Sequence, residues 1–541
     1  MSNLNSQKLP EIIFTTLLIE KSPQALPLGA ACVASSVKNN CHTKNLCSVS
    51  LVTFNKEDFA VSKNAEDEEL IASQIAQELL KRNPDIVGFS IFVWNRIVLE
   101  KVARILQKNN VKCLAGGPEV TANPKSFDFF DAAVSGEGEL KVPEIIYKIL
   151  TGSEMPEQNK IGVTTSSLDD IPSPYLDGTL DPALYGGALW ELARGCPFKC
   201  SYCYESKGEK NVRRFPLKRI KQELDLFAQK KVSQVFVLDP TYNSDKKKAL
   251  ELINLIAQKT PDTFYYFEAR AEFIDRQMAQ AFTKIPCALQ IGLQSADENV
   301  LKLVNRSFDK KIFVRNIGFL NEAGVVFGLD VIYGLPGDSL KGFKNSVDFA
   351  ISLYPNNLEI FCLSVLPGTA LFDNAKNLSL EYEEKPPYHI IRTKTFSAEN
   401  LSVAEEIAKA CSLFYNDGRA VPWFNTVCRA IHLKPSDFFE QFYKFYVQHY
   451  GKNFSCREHR QVEKIQCEFI RHIFTQKNFS ALLPAALDLI LLNGAISRKT
   501  DTGKSEKVQL QYPAEYLESE YAMDLQFFVK NVKKRKNVFT T

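Results

Sequence analysis

Histidine is scarce in this chain, with six in 541 residues and none between His42 and His389. That gap removes the commonest metal-ligating side chain from most of the sequence. No charge of one sign dominates either. The net charge is only +3, so nothing at the whole-chain level points to nucleic acid or a membrane surface as partner. Long hydrophobic runs are missing: Ala481 to Ala495 is interrupted by Pro484 and Asp488 and is too short to span a bilayer. The start, MSNLNSQKLPEIIF, lacks a basic segment followed by an apolar one, so no signal peptide is expected. Without that context the 13 cysteines read as thiols in a reducing compartment, not as a disulfide framework. The expected location is cytoplasmic.

A chain of this length exceeds what one hydrophobic core supports, so about two to four domains are expected. Hydrophobic residues at 45% and charged residues at 24% mark a globular composition.

Through residue 175, short apolar strands alternate with helical patterns. Strands are expected at Glu11–Leu18, Leu46–Phe54, Ile86–Ser90, Val111–Ala115 and Ala132–Ser135. Helices are expected at Pro27–Lys38, Glu66–Lys81 and Val98–Lys108. That rhythm predicts a doubly wound parallel sheet, which binds ligands at the carboxyl ends of its strands. Glycines cluster at those ends, in Gly88-Phe89-Ser90, Gly116-Gly117-Pro118 and Gly136-Glu137-Gly138-Glu139. Missing side chains there let backbone approach a ligand closely. Trp94 and Asn95 follow the third strand. Asp169 to Asp181, with three nearby prolines, reads as a linker.

From about residue 176 to 400, strand and helix alternate roughly six times. The expected strands are Ala188–Ala193, Gln234–Leu238, Phe264–Phe267, Ala288–Leu293, Val326–Ile332 and Leu358–Ser364. This predicts a partial (β/α)6 barrel of triosephosphate-isomerase type, with its chemistry at the strand carboxyl ends. At the first of those ends stands RGCPFKCSYCYE, where Cys196, Cys200 and Cys203 fall in a C-x3-C-x2-C spacing. Iron–sulfur clusters take Cys thiolates, usually four. Three with no fourth partner would leave one iron open. A zinc knuckle would need a fourth ligand, for which Cys287 and Cys113 are the distant candidates.

The triplet, with an aromatic residue just before its last cysteine, resembles the signature of the radical S-adenosylmethionine (SAM) enzymes. The resemblance implies a 4Fe–4S cluster on Cys196, Cys200 and Cys203, whose open iron binds the SAM amino and carboxylate groups, with Tyr202 beside the adenine. It further implies that Asp239, in Asp239-Pro240-Thr241-Tyr242-Asn243, contacts the SAM amino group. Glu268 and Arg270 would meet its carboxylate or ribose, Arg270 offering a bidentate cation. Backbone at Gly292-Leu293-Gln294-Ser295 and at Gly334-Leu335-Pro336-Gly337 would pass close to adenosine.

The glycine turns of the first domain, together with Ser22 to Ala30, resemble the cobalamin-binding domain that precedes many radical SAM domains. On that resemblance Ser90, Trp94, Asn95, Gly116, Gly117, Gly136, Glu137 and Gly138 are the cobalamin-binding candidates. The D-x-H-x-x-G motif, which supplies a cobalt-ligating histidine elsewhere, is absent. Cobalt would then lack a protein histidine, and Trp94, Asn95 or Arg96 would face the lower side of the corrin. His42, in a CHTKN stretch, reads as surface.

Residues 401–541 look largely helical and carry no motif. Trp423, Phe424, Phe442, Tyr443, Phe445 and Tyr446 read as packing, and Lys530–Lys536 as a solvated basic end. Cys456, Glu458, His459 and Cys467 match no standard metal site. The organisation is therefore 1–175 cobalamin-binding, 176–400 radical SAM, and 401–541 a helical domain over the barrel mouth. The implied activity is reductive cleavage of SAM to a 5′-deoxyadenosyl radical, followed by methylation of an unactivated carbon in a small-molecule or peptide substrate. A low-potential flavodoxin or ferredoxin would supply the electron. Rearrangement without methyl transfer, and an iron–sulfur redox or sensor protein, are the alternatives.

Overall fold

Strand β1, Glu11–Leu18 (EIIFTTLL), is almost wholly buried, as a central strand of a parallel sheet covered on both faces must be. It lies between β2 (Ser48–Asn55) and β3 (Ile86–Ser90), followed outward by β4 (Lys112–Gly116) and β5 (Ala132–Ala133). All pairings are parallel, in the order β2-β1-β3-β4-β5. This is the flavodoxin-like order, whose switch point lies between β1 and β3. The computed structural model describes residues 8–59, 65–154, 162–163, 167–205, 211–240, 242–452 and 456–541.

Helices α1 (Leu28–Asn39), α2 (Ala65–Leu80), α3 (Arg96–Lys108) and α4 (Gly138–Thr151) cover this sheet. In α3 the buried residues Val98, Leu99, Val102, Ala103 and Leu106 recur at helical spacing and form one apolar stripe. Separate cores fill the two faces: Ile13, Val87, Cys113 and Phe130 on one, Phe14, Ala30, Leu114 and Ile146 on the other.

The second sheet has six parallel strands in sequence order: β6 (Ala188–Glu191), β7 (Gln234–Leu238), β8 (Phe264–Ala269), β9 (Cys287–Gln294), β10 (Val326–Tyr333) and β11 (Asn357–Cys362). Its crossover helices include α5 (Leu217–Gln229), α6 (Lys246–Lys259), α7 (Arg276–Phe282), α8 (Lys310–Ala323) and α9 (Leu340–Ser352). Side-chain caps start several of them, with Asp245, Asp275, Asp309 and Ser339 each accepting a backbone N–H of the first turn. This is the partial barrel expected.

A continuous core runs from the barrel into the C-terminal helices, namely α10 (Ala398–Cys411), α11 (Phe424–Ala430), α12 (Pro435–Tyr450), α13 (His459–Gln476) and α14 (Leu483–Thr502). Phe414 is its hub, with ring centroids of Trp423, Phe424, Phe438, Phe442 and Phe469 between 4.8 and 6.1 Å away. Trp423, Phe424 and Phe442 are thus packing residues. The last strands, Lys507–Leu510 and Asn537–Thr540, pair antiparallel, and the basic residues 533–536 just before the second one are exposed. Among the described residues no helix is long and apolar enough to cross a membrane.

Candidate active site

The carboxyl ends of the two sheets face one another. A cavity of about 320 Å³ between them is lined by Thr16 and Leu18 from the end of β1, by Phe92 and Trp94 beyond β3, and by Glu191 and Leu238 at the ends of β6 and β7. Beside it a second cavity, about 310 Å³, enters the first domain at its switch point. Phe14, Gly88, Ser90, Leu114, Gly116 and Gly117 form its sheet side, and Gly29, Val33, Gly138 and Val142 its helix side. The volume is that of a small-molecule site.

The glycines there have different reasons. At Gly116 a Cβ would have nothing nearer than the Val134 carbonyl at 3.9 Å. At Gly117, φ is +105° and a Cβ would lie 2.7 Å from the Ile91 carbonyl oxygen. Gly117 is fixed by the backbone, while Gly116 is free to carry a side chain. Gly136, Glu137 and Gly138 also line the cavity. The Glu137 carboxylate, however, accepts from Arg213 Nη2 at 2.7 Å.

Trp94 is 46% exposed, so core packing is not its role. Its ring stacks on Phe92 at 4.5 Å, at the rim of the interdomain cavity. Asn95 lies elsewhere. It is buried, its Oδ1 accepts from Phe92 N at 2.8 Å, and its amide donates to Thr16 Oγ1 at 3.0 Å. Its polar atoms brace the loop after β3. Arg96 is likewise engaged. It donates to Glu119 Oε2 at 3.0 Å and to the Tyr388 hydroxyl oxygen at 3.0 Å, while Tyr388 donates to Glu119 at 2.7 Å. This triad latches the first domain to the chain beyond the barrel. His42 is exposed.

The cysteine loop leaves β6 through the short strand Ala193–Arg194. Cys196 and Cys200 are buried and Cys203 is half-buried. Burial pushes the Cys203 thiol up to about 11, helped by its neighbours Cys200, Glu205 and Cys196. Ser201 N donates to Val304 O at 2.9 Å, Leu371 N to Ser201 O at 2.7 Å, and Asn305 Nδ2 to Lys199 O at 2.7 Å, so the loop is held from two sides. The donor set fits an iron–sulfur cluster: three thiols on one loop, each within electrostatic reach of another. Cys113 is buried in the first domain with its thiol toward the Ala103 carbonyl, and Cys287 opens β9 at the opposite end of the barrel. Neither can be the fourth ligand of a zinc knuckle. Among the described residues no three His, Cys, Asp or Glu converge as ligands of a single ion; a four-iron cube takes each thiolate at a different corner.

Gln294 ends β9 with φ at +68°, and its Oε1 is buried with no hydrogen-bond partner. A buried orphan acceptor in a strained residue fits a ligand-contacting role. Arg306, which the sequence reading missed, places Nη1 3.8 Å from Cys200 Sγ and donates through Nη2 to the Gly292 carbonyl. No periodicity or motif marks it. Tyr202 lies against Cys200 and Arg306, its hydroxyl pushed up by burial.

Other expected SAM contacts are already engaged. Asp239 is buried and accepts from Arg214 at 2.8 Å; its neighbour Thr241 lies outside the described residues. Arg270 donates to Glu272 at 2.6 Å and stacks over Phe198 at 3.7 Å. At Gly334 a Cβ would lie 2.6 Å from Ile390 Cγ2, so close packing alone requires glycine there. Glu268 faces the barrel lumen, its carboxyl raised to about 7 by burial and by Asp330, Glu205 and Asp239. Asp330 is raised to about 6, again chiefly by burial.

Residues 190–350 match the radical SAM superfamily, and residues 16–146 the B12-binding domain. Residues 376–533 match a family described as a protein of unknown function, DUF4080. Residues 16–350 thus carry the two domain types found together in cobalamin-binding radical SAM enzymes, domains that imply a 4Fe–4S cluster, SAM and cobalamin as cofactors. It is similar to the cobalamin-dependent radical SAM methyltransferase TokK of Streptomyces tokunonensis, 26% identical over 332 residues, which are 53% of this chain and 48% of TokK. The chain thus spans about half the length of that relative. An uncharacterized methyltransferase of Pyrococcus horikoshii, PH0819, is 25% identical over 425 residues, 72% of this chain and 87% of its own. The fold resembles the cobalamin-dependent SAM radical enzyme OxsB, with a TM-score of 0.57 at 14% identity over 96% of this chain and 83% of OxsB. It also resembles the radical SAM methyltransferase TsrM of Kitasatospora setae, at 0.54 and 14% over 70% of this chain and 79% of TsrM.

Proposed function

We propose that this protein is a cobalamin-dependent radical SAM methyltransferase acting on an unactivated carbon of a small-molecule or peptide substrate. The observation that carries the reading is the meeting of two sites in one space: Arg194, two residues before Cys196, lines both the switch-point cavity and the interdomain cavity. When bound, the cluster supplies a low-potential electron that cleaves SAM to methionine and a 5′-deoxyadenosyl radical, and cobalamin supplies a transferable methyl group. The names of TokK as a methyltransferase and of TsrM with a tryptophan substrate support methyl transfer to a small molecule.

The chain's own residues then have distinct tasks. Cys196, Cys200 and Cys203 hold the cluster, and Arg306 keeps a permanent cation beside them, suited to a carboxylate. Gln294 offers its orphan amide oxygen to SAM. Ser90, Gly116, Gly117, Gly136 and Gly138 cradle the nucleotide tail of the corrinoid, and Trp94 with Phe92 presents an aromatic wall where the corrin would lie. Glu268 and Asp330, raised toward neutrality, can hold or release a proton at the lumen. A flavodoxin or ferredoxin in a cytoplasmic setting supplies the electron.

The test is anaerobic reconstitution with iron, sulfide and hydroxocobalamin, read by iron content, corrinoid content and 5′-deoxyadenosine. Cys196→Ala, Cys200→Ala and Cys203→Ala should each abolish SAM cleavage, while Cys113→Ala keeps its iron. Full SAM cleavage in any of the three would sink the assignment. Protein that cleaves SAM yet never retains corrinoid would leave an ordinary radical SAM enzyme.

A further inference from the structure

Thr121 lines neither of the two cavities between the domains, yet its side chain joins the walls of one to the end of the cysteine loop. It sits on the short helix Pro118–Ala122 that follows β4. Its hydroxyl donates to the Gly117 carbonyl at 2.9 Å and accepts the Gly136 N–H at 2.9 Å. Ser135 Oγ donates to the Thr121 carbonyl at 3.4 Å. Gly117 and Gly136 belong to different turns, one after β4 and one after β5, and both line the switch-point cavity. One side chain therefore sets the spacing of two turns across that cavity. A threonine hydroxyl has one donor and two acceptor positions, so one acceptor position remains. Against it lies the hydroxyl of Tyr204, the residue after Cys203. On the same helix Glu119 pairs with Arg96 and accepts from Tyr388, which anchors the helix independently of Thr121.

We infer that Thr121 is a positioning residue that couples the two cofactor sites: a corrinoid tail seated in the switch-point cavity fixes the Gly117 and Gly136 turns, and Thr121 passes that order through Tyr204 to the end of the cysteine loop. The inference rests on the cobalamin-dependent radical SAM reading. Gly136 is exposed and carries no side chain to pin its turn, so a ligand held between the turns removes freedom that Thr121 shares. The Tyr204 hydroxyl then meets a fixed partner. Ordering settled by the first ligand is not charged again to the second, so the two affinities rise together. Such coupling is reciprocal: corrinoid tightens SAM by the same factor as SAM tightens corrinoid. Direct contact between the two cofactors would also couple them, but it would not depend on the Thr121 or Tyr204 hydroxyl.

The experiment compares cluster-reconstituted unaltered protein with Thr121→Val, Thr121→Ser and Tyr204→Phe, each with and without hydroxocobalamin and without reductant. Calorimetry reads the SAM affinity, and hydrogen exchange reads the order of residues 196–205. In the unaltered protein corrinoid should tighten SAM roughly tenfold and slow exchange in that segment. Thr121→Val and Tyr204→Phe should keep their iron and their corrinoid-free SAM affinity, while both readouts become indifferent to corrinoid. Thr121→Ser, which retains the hydroxyl, should restore both responses. If Thr121→Val loses corrinoid outright, Tyr204→Phe decides, because it leaves both glycine turns untouched. Undiminished tightening in Tyr204→Phe overturns the inference and points to direct contact between the cofactors. Corrinoid retained by the unaltered protein with no effect on SAM or on exchange strikes the coupling alone. Failure of the unaltered protein to retain corrinoid strikes the cobalamin reading and the coupling with it.

Discussion

Arg194 Nη2 lies 2.6 Å from Glu139 Oε1, and Nε of the same guanidinium donates to Glu191 at 2.8 Å. The residue that introduces the cysteine loop is thereby joined to the last glycine turn of the first domain. Burial opposes its charge, but the facing carboxylates outweigh that and hold it firmly protonated. Glu139→Gln removes one partner of several and should cost about 1–2 kcal/mol in urea unfolding. Arg194→Met strands Glu191 and Glu139 without their cation and should cost about 3–5 kcal/mol. Equal costs would mean the two contacts do not share one network.

Gly116 and Gly117 separate a blocked site from a broken fold. Gly116→Val should keep the unfolding midpoint within about 1 kcal/mol of the unaltered protein, because the space is open. It should lose corrinoid retention. Gly117→Ala meets backbone and an unfavourable φ, so it should destabilise by more than about 1 kcal/mol. Full corrinoid content in Gly116→Val would move the ligand elsewhere.

Gln294 offers a cleaner probe of SAM than Arg270 does. Removing Arg270 would free Glu272 and unstack Phe198, mixing stability with binding. Gln294→Asn keeps an amide that tolerates the same backbone but withdraws its oxygen from the ligand. SAM should bind roughly tenfold more weakly, about 1.4 kcal/mol, with thermal midpoint unchanged. Calorimetric affinity equal to that of the unaltered protein would reassign the contact.

His459 makes the C-terminal domain pH-sensitive. Burial, then Arg419 and Arg498, lower its imidazole to about 4, against the raising influence of Glu458 and the Gly418 backbone. Glu463 packs on the same Arg498. The folded state therefore binds a proton less readily than the unfolded one, and stability must fall as pH drops from about 6.5 toward 4. The loss is at most about 3 kcal/mol from this group. His459→Gln should flatten that part of the profile in denaturant titrations at stepped pH, and an unchanged slope would place the sensitivity elsewhere.

What the residues revealed in advance was what local patterns encode. Glu11–Leu18, Ile86–Ser90 and Gln234–Leu238 match their expected limits, because a buried strand is written in consecutive residues. After β8 the chain makes a short turn at Ala271–Phe273 before Asp275 caps the start of α7. The hairpin of Lys507–Leu510 with Asn537–Thr540 was not foreseen, since its partners lie far apart in sequence. The same limit governs the site. The cysteine triplet is local and legible, whereas the pairing of Asp239 with Arg214, the bracing by Asn95 and the approach of Arg306 to Cys200 arise only from tertiary packing.

The latch between Tyr388 and Glu119 joins residues 269 positions apart. During synthesis at about 5–20 residues per second, Glu119 emerges roughly fifteen to fifty seconds before its partner exists. The first domain can fold in that interval with its switch-point cavity still uncovered, which gives a bulky corrinoid a period of unhindered entry that the finished enzyme lacks. Corrinoid supplied during expression should therefore load more completely than corrinoid added afterwards, and Tyr388→Phe should narrow the difference. Identical loading by both routes in the unaltered protein would show that the latch does not control entry.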